Sequence, residues 1–223
     1  YGCPEGKNSI IHDDINKDEI VLVYGTTVSV KSVVLHVFIK GASMFNTIED
    51  VRLILFDSKR VEFNQYKNNE LLLCPIINNG DELFAKIKEL INECYKRKEA
   101  IGENDFESSR KQNNHHFPYI LLVIDEYADI ANKELNNVLL ELMKDGFKYG
   151  IHIILSTQKI SGWGADIDFF KSFKTIICQE NYDKKETRKL IGDYVELKGS
   201  GDSLVLRDGE LTRTQGLYTS YNE

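Results

Sequence analysis

Cysteine is scarce in this chain, and the few cysteines that occur are widely separated. Cys3, Cys74, Cys94 and Cys178 form no CxxC pair and have no histidine nearby at the spacing of a metal ligand. This argues against zinc-binding modules and against small disulfide-rich secreted proteins. Three of the four lie in apolar surroundings, so we expect buried free thiols in a reducing compartment.

Long apolar runs and an excess of positive charge are also missing. No run approaches the roughly eighteen apolar residues needed to cross a bilayer, and no signal-peptide pattern opens the chain. Because the sequence starts abruptly at Tyr1, we expect a piece of a longer protein, with any membrane anchor outside it. The formal net charge of −7 argues against a wholly basic nucleic-acid-coating protein. A local basic surface stays compatible with it, because binding depends on the field at the contact.

What is present is an alternation of short apolar runs with amphipathic segments, which predicts an α/β fold. Near-continuous β-type runs occur at 20–24, 51–56, 119–124 and 151–156. Strands buried on both faces read this way, because helices cover both sides of a parallel sheet. Helical periodicity occurs in three segments: after Lys31, over 81–100 and over 133–149. Asp81 is the predicted N-cap of the second segment. We expect a mostly parallel twisted sheet with helices on both faces, in one domain over 1–223.

Two polar stretches and one turn complete the predicted organisation. Residues 102–116 are rich in Asn and Ser and predict a surface loop, and 161–165 predict a second loop after the fourth strand. Asp208 and Gly209 lie between two short β-type runs, which predicts a hairpin.

The first predicted strand leads into a sequence typical of a phosphate-binding loop. Residues 25–32 read GTTVSVKS and follow the Walker A pattern GxxxxGK[ST], except that Val30 replaces the glycine before the lysine. In such loops backbone N–H groups cradle phosphates, the lysine reaches the β and γ phosphates, and the hydroxyl holds Mg²⁺. Gly25, Lys31 and Ser32 keep those places. On this segment alone, a plain strand-to-helix turn is an equal alternative.

Two acidic residues end the third predicted strand, in the Walker B pattern. Asp125 would lie close to Mg²⁺ and Ser32, and Glu126 would polarise the attacking water. The alternative is a helix cap after a buried strand. Gln158 ends the fourth strand, which we expect beside the second, and is a candidate sensor of the γ-phosphate or water. An ordinary loop amide is the alternative for Gln158.

Taken together, these residues resemble the motor domain of the FtsK/SpoIIIE family of DNA translocases. Further segments that match the family's motifs are LFDSKRVEF at 55–63, FPYI at 117–120, VIDEYAD at 123–129, YGIH at 149–152, STQK at 156–159, KGSGDSL at 198–204 and RTQG at 213–216. The matches keep the family's order and run from Gly25 to Gly216, so they cover most of the chain.

The resemblance implies a RecA-like P-loop NTPase with ATP and Mg²⁺ as cofactors. It also implies a homo-hexameric ring that binds double-stranded DNA without sequence preference, in the cytoplasm or at the cytoplasmic face of a membrane. The implied nucleotide contacts are Gly25, Thr26, Thr27, Ser29, Lys31 and Ser32. Ser32 and Asp125 would hold the metal. The implied catalytic residues are Asp125, Glu126, Gln158 and Arg188, the last as an arginine finger for a neighbouring subunit.

The departures from the family pattern concern turnover more than architecture. The family's loop reads GTTGSGKS, so Val28 and Val30 both stand where glycines belong. A β-branched residue at positive φ costs roughly 1–3 kcal/mol per site. Family arginines are replaced by Phe147 and Lys159. These changes predict impaired ATP hydrolysis, and they leave a second hypothesis open: a non-hydrolysing ring or scaffold module of a type VII secretion or conjugation ATPase, with a protein cargo in the secretion case.

Two basic clusters are predicted on helices. They are Lys96–Arg97–Lys98 and the group of Lys184, Lys185, Arg188 and Lys189. A solvated helix face is the ordinary interpretation of each cluster. Contact with the DNA backbone is the alternative, and it predicts salt-sensitive, sequence-independent binding.

Overall fold

The computed structural model describes most of the chain. The described residues are 2–4 (as a strand), 20–26, 31–111, 117–162, 164, 166–181, 183–199 and 201–216. Four residues of the predicted phosphate loop, Thr27, Val28, Ser29 and Val30, lie outside this range, so predictions about them are not tested by the fold.

Within the described residues, eight strands form one sheet. They are β1 (Gly2–Pro4), β2 (Ile20–Tyr24), β3 (Val51–Asp57), β4 (Tyr119–Asp125), β5 (Ile151–Thr157), β6 (Thr175–Cys178), β7 (Asp202–Arg207) and β8 (Glu210–Gly216). Their order across the sheet is β1-β8-β7-β6-β2-β5-β4-β3. β2 to β6 pair in parallel, and β7, β8 and β1 extend the sheet antiparallel on one side. The predicted mostly parallel sheet is confirmed.

Helices cover both faces of this sheet. They are α1 (Lys31–Phe45), α2 (Gly80–Ile101), α3 (Phe106–Lys111), α4 (Lys133–Asp145), α5 (Ile167–Lys171) and α6 (Lys184–Ile191), with 3-10 turns at Asn64–Tyr66, Tyr127–Asp129 and Gly146–Tyr149. α1 packs on the face that carries Val21 and Val23, in a cluster with its own Leu35 and Ile39. α2, α4, α5 and α6 bury their apolar sides on the opposite face, against residues such as Leu22. Burial on both faces explains the near-continuous apolar strands.

The structure corrects three details of the predicted helices. The N-cap of α2 is Asn79, whose side chain accepts from the backbone N–H of Glu82 at 2.9 Å, so the prediction of Asp81 as the cap is wrong. Asp81 lies in the first turn instead, where a carboxylate suits the helix dipole. α4 ends at Asp145 and continues only as a 3-10 turn. α3 occupies part of the segment predicted as a loop.

The predicted hairpin is confirmed at the turn between β7 and β8. Arg207 pairs with Glu210 across it, and both turn residues have positive φ, 50° at Asp208 and 79° at Gly209. Two residues in this conformation match the right-handed twist of the flanking strands. Among the described residues, no helix combines the length and apolar character needed to span a membrane.

The strand order decides which residues meet at the carboxyl edge of the sheet. β5 lies between β2 and β4, with Tyr24 opposite Thr157 and Ile124 opposite Leu155. The expectation that the fourth predicted strand lies beside the second is therefore wrong, because β4 separates β5 from β3. With this order, the phosphate loop, Gln158 and the acidic pair follow β2, β5 and β4, which are three adjacent parallel strands.

Candidate functional site

Lys31 begins α1 and lies at the centre of the candidate site. Its Nζ is 3.3 Å from Oε1 of Glu126, and it donates to the carbonyl of Thr26 at 3.1 Å. The lysine side chain is 4% exposed and the glutamate side chain 11%. Because both groups are shielded from solvent, the attraction between their opposite charges is strong, and it offsets the cost of desolvating them. The lysine of the phosphate loop and the acidic residue that directly follows β4 therefore converge, as predicted.

Glu126 is held by its backbone as well as by its side chain. It has left-handed dihedral angles, φ 50° and ψ 52°, which a residue with a side chain seldom adopts. Its backbone N–H donates to Ser156 Oγ at 3.0 Å, and Gln158 Nε2 donates to its Oε1 at 2.6 Å. One carboxylate oxygen thus receives both Lys31 and Gln158. Backbone strain of this kind is often found where a side chain must be aimed at a functional site.

Asp125 is the more deeply buried of the two acids. Its Oδ1 accepts a hydrogen bond from Ser156 Oγ at 2.5 Å, and the residue is 4% exposed. Burial raises the pKa of this carboxyl to about 6, against the lowering effect of the serine hydroxyl. A nearby cation would favour the ionised form.

Ser156 is the functional residue that sequence reasoning missed. It joins the two acids, since its hydroxyl donates to Asp125 and accepts from the backbone of Glu126. The available signal was a serine near the end of a predicted buried strand, because a polar group that is buried requires a partner.

The start of the phosphate loop is anchored between two neighbouring strands. The backbone N–H of Gly25 donates to Thr157 O at 3.3 Å, and that of Thr26 donates to Glu180 O at 3.0 Å. The hydroxyl of Thr26 also donates to Glu180 O, at 3.3 Å. Gly25 and Thr26 are therefore fixed at the carboxyl edge, where the predicted loop begins. The predicted contacts Thr27 and Ser29 fall outside the described residues.

The residues that could hold Mg²⁺ have suitable chemistry. Ser32 is half-buried in the first turn of α1. Asp125 ends β4, which is two places in the sheet from β2, the strand that leads into the phosphate loop. Hydroxyl and carboxylate oxygens are the hard ligands that Mg²⁺ prefers, and it commonly takes one or two carboxylates together with substrate phosphates. Within the described part of the chain no group of three or more His, Cys, Asp or Glu is arranged to hold a metal alone. The donor set fits a metal that the phosphates of a nucleotide help to hold.

Arg188 lies on the surface of α6 and is not brought into this cluster. Among the described residues, no hydrogen bond or ion pair joins it to Lys31, Asp125 or Glu126. Its helix is nevertheless tied to the strand before the phosphate loop, because Tyr24 Oη donates to Glu186 Oε2 at 3.3 Å. An exposed arginine on such a helix is free to reach a neighbouring molecule, and the finger assignment remains a prediction.

One member of the first basic cluster, Arg97, is buried, whereas Lys96 and Lys98 are exposed. Arg97 is 1% exposed, and its guanidinium donates to the carbonyls of Pro118 and Tyr149, both at 2.8 Å. It also bonds Glu93 at 3.0 Å, one helical turn away. For Arg97, neither a solvated face nor a DNA contact is correct, because this buried arginine joins α2 to the segment before β4 and to the 3-10 turn before β5.

Comparison with known proteins agrees with the geometry. DNA translocase FtsK of Staphylococcus epidermidis is 29% identical over 231 residues, which cover 94% of this chain and 29% of that protein. The chain therefore spans less than a third of this relative's length.

Two solved structures share the P-loop ATPase fold. The cytoplasmic domain of the type VII secretion ATPase EccC from Thermomonospora curvata matches with a TM-score of 0.77 and 20% identity, over 98% of this chain and 26% of that one. The pCW3 conjugation coupling protein TcpA, solved with ATPγS, matches with a TM-score of 0.72 and 19% identity, over 93% of this chain and 62% of that one. The profile of the FtsK/SpoIIIE family matches residues 3–115, about half of the chain. This chain belongs to the FtsK/SpoIIIE family.

Proposed function

We propose that residues 1–223 form one ATP-binding motor domain of a double-stranded DNA translocase whose ATP hydrolysis is impaired by Val28 and Val30. The observation that carries this proposal is the convergence of Lys31 on Glu126 at 3.3 Å, at the edge where the phosphate loop begins. Three adjacent strands bring these groups together from distant parts of the sequence. A plain strand-to-helix turn and a plain helix cap do not require such a meeting.

Each residue of the cluster has a role in phosphoryl transfer to water. Lys31 would exchange its contact with Glu126 for the β and γ phosphates, and Ser32 and Asp125 would hold the metal. When bound there, Mg²⁺ would supply positive charge next to the phosphates. Glu126 would accept a proton from the attacking water, and Gln158, already bonded to Glu126, would orient that water.

Membership of the family supports a proposal for the partner and the assembly. The curated relatives are named DNA translocases, which supports duplex DNA as the substrate of this chain. In a homo-hexameric ring the exposed Arg188 would reach the nucleotide of a neighbour and stabilise charge there. DNA passing through the ring would be held by its backbone, so affinity should fall steeply with salt. A cytoplasmic location fits such a motor.

A second candidate function is a non-hydrolysing ring or scaffold module. The two valines favour it, because a loop that cannot present its backbone N–H groups loses nucleotide affinity. The fold it shares with a type VII secretion ATPase makes a protein cargo the corresponding partner, and the fold it shares with a conjugation coupling protein suggests a third setting for the same motor.

Restoring the loop separates these functions. If the valines cost roughly 3 kcal/mol of binding, Val28→Gly with Val30→Gly should strengthen ATP binding about a hundredfold. In the motor, this variant hydrolyses ATP and duplex DNA stimulates it. Glu126→Gln in the same background is the matched control, since it should keep ATP binding and slow phosphate release by about 10²-fold or more. A restored variant that binds neither ATP nor duplex overturns the proposal, and one that binds ATP but ignores DNA favours the scaffold.

A further inference from the structure

A second concave site lies at the carboxyl end of β3, the edge strand of the sheet. The pocket has a volume of about 230 Å³. Polar and charged side chains supply much of its lining: Asp57, Arg60, Asn64, Lys67 and Asn78. β4 and β5 separate β3 from β2, so the pocket is one strand beyond the acidic pair and is distinct from the Lys31 cluster.

The mouth of this pocket carries two cations without carboxylate partners. Arg60 and Lys67 are both exposed, and among the described residues neither takes part in an ion pair. Arg60 Nη2 donates to Asn78 Oδ1 at 2.8 Å, which holds the guanidinium beside the pocket without neutralising its charge. An arginine fork and a lysine at one concave site are suited to phosphate oxygens.

The one acid of the pocket is already occupied. Asp57 is 1% exposed, and its two oxygens accept from the backbone N–H groups of Lys59 at 3.1 Å and Phe63 at 3.0 Å. These bonds fix the turn that follows β3 and occupy both oxygens of the Asp57 side chain. The exposed part of the site therefore presents cations and amides to an incoming ligand.

Arg60 also occupies a backbone conformation that favours other residues. Its φ is +56°, in the left-handed region where glycine and asparagine are common and arginine is not. The fold would accept glycine or asparagine there with less strain. An arginine at this position is best explained by a use for its side chain.

We propose that the pocket formed by Arg60, Lys67, Asn64 and Asn78 binds a phosphate group, as a second anion site separate from the phosphate loop. The backbone of duplex DNA and the polyphosphate of a free nucleotide share the chemistry that this site recognises. The site requires no nucleotide at Lys31, so it stands or falls independently of ATP hydrolysis.

Calorimetric titration with inorganic pyrophosphate tests this proposal. It is done on the native chain and on Lys31→Met with Glu126→Gln, which disables the phosphate loop without leaving Glu126 as an unpaired buried charge. In that background Arg60→Asn with Lys67→Gln should weaken pyrophosphate binding at least tenfold. Lys133→Gln with Lys171→Gln, an equal loss of two charges at exposed positions outside the pocket, should change affinity by less than twofold. Because asparagine tolerates the left-handed region, Arg60→Asn alone should leave the melting temperature unchanged or higher.

Competition identifies the source of the phosphate. Displacement of pyrophosphate by a 30-base-pair duplex, and not by ATP, assigns the site to the DNA backbone, and the reverse result assigns it to a free nucleotide. The proposal is overturned if the Arg60 and Lys67 variant binds pyrophosphate as well as its parent does. It is overturned equally if the control, Lys133→Gln with Lys171→Gln, loses the same affinity, or if neither competitor displaces pyrophosphate.

Discussion

Lys31 and Glu126 form an ion pair at 3.3 Å between two side chains that are almost entirely shielded from solvent. Lys31 begins α1 and Glu126 directly follows β4, and Gln158 adds a hydrogen bond to the same carboxylate oxygen. The pair holds the phosphate-binding lysine against the group expected to activate water. If Lys31 binds phosphate as proposed, nucleotide binding would change the arrangement of Glu126 through this one contact.

This coupling is measurable in a double-mutant cycle on stability. Lys31→Met leaves Glu126 buried without its cation, so we expect a loss of roughly 3 kcal/mol in the free energy of unfolding. Glu126→Gln alone should cost less, and the double variant should be more stable than the sum of the single effects predicts. Urea unfolding of the four proteins gives the coupling energy. Additive effects would mean that the pair does not form in solution.

Asp125 should make stability depend on pH in an unusual direction. Its pKa of about 6 is above the ordinary value of 3.8, so the folded protein binds more protons than the unfolded chain between these values. This contribution to stability is present below about pH 4 and is lost as the pH rises through 6. We therefore compare the free energy of unfolding of Asp125→Asn with that of the native protein at each pH. The difference should shift in favour of the variant by about 3 kcal/mol between pH 4 and pH 7. A difference that stays constant with pH would contradict the burial argument.

Glu126→Gln should separate binding from chemistry. In the background of Val28→Gly and Val30→Gly, glutamine keeps the shape and an oxygen for Lys31 but cannot accept a proton. We expect ATP affinity within a few-fold of the parent and phosphate release slower by about 10²-fold or more. Fluorescent nucleotide binding and a phosphate-release assay measure the two quantities. Equal phosphate release in both proteins would remove Glu126 from the role of base.

Arg97 should be structural, in spite of its position in a basic triplet. Arg97→Ala leaves the carbonyls of Pro118 and Tyr149 without their shared donor, which should cost roughly 3 kcal/mol of stability. Lys96→Ala, on the exposed side of the same turn, should change stability by less than about 0.5 kcal/mol and serves as control. If the two variants unfold at the same urea concentration, the buried contacts of Arg97 are not maintained.

Much of the fold was predictable because burial leaves a clear pattern in the sequence. β2 has the predicted bounds, and β3, β4 and β5 each extend one residue beyond the predicted run. β6 was missed because four residues between charged and polar neighbours are too short to show a period. Pairing of β1 with β8 depends on contacts between the two ends of the chain, which local periodicity does not contain.

The sequence predicted which residues form the candidate site better than it predicted the contacts between them. Motif spacing named Lys31, Glu126 and Gln158, but their shared oxygen follows from the place of β5 between β2 and β4. The link from Tyr24 to Glu186 joins residues 162 positions apart and left no local signal. Long-range contacts of this kind come from the strand order, so they could be described only with the fold.

Paramagnetic broadening by Mn²⁺ tests most directly whether one pocket joins the phosphate loop to the acidic strand end. With Mn²⁺ and ADP added to the Val28→Gly, Val30→Gly protein, the backbone amide signals of Ser32, Asp125 and Glu126 should broaden together. The signal of Arg207, which lies at the far end of β7, should stay sharp. Broadening of Ser32 without Asp125 and Glu126, or of a different region altogether, would contradict a shared site for metal and phosphate.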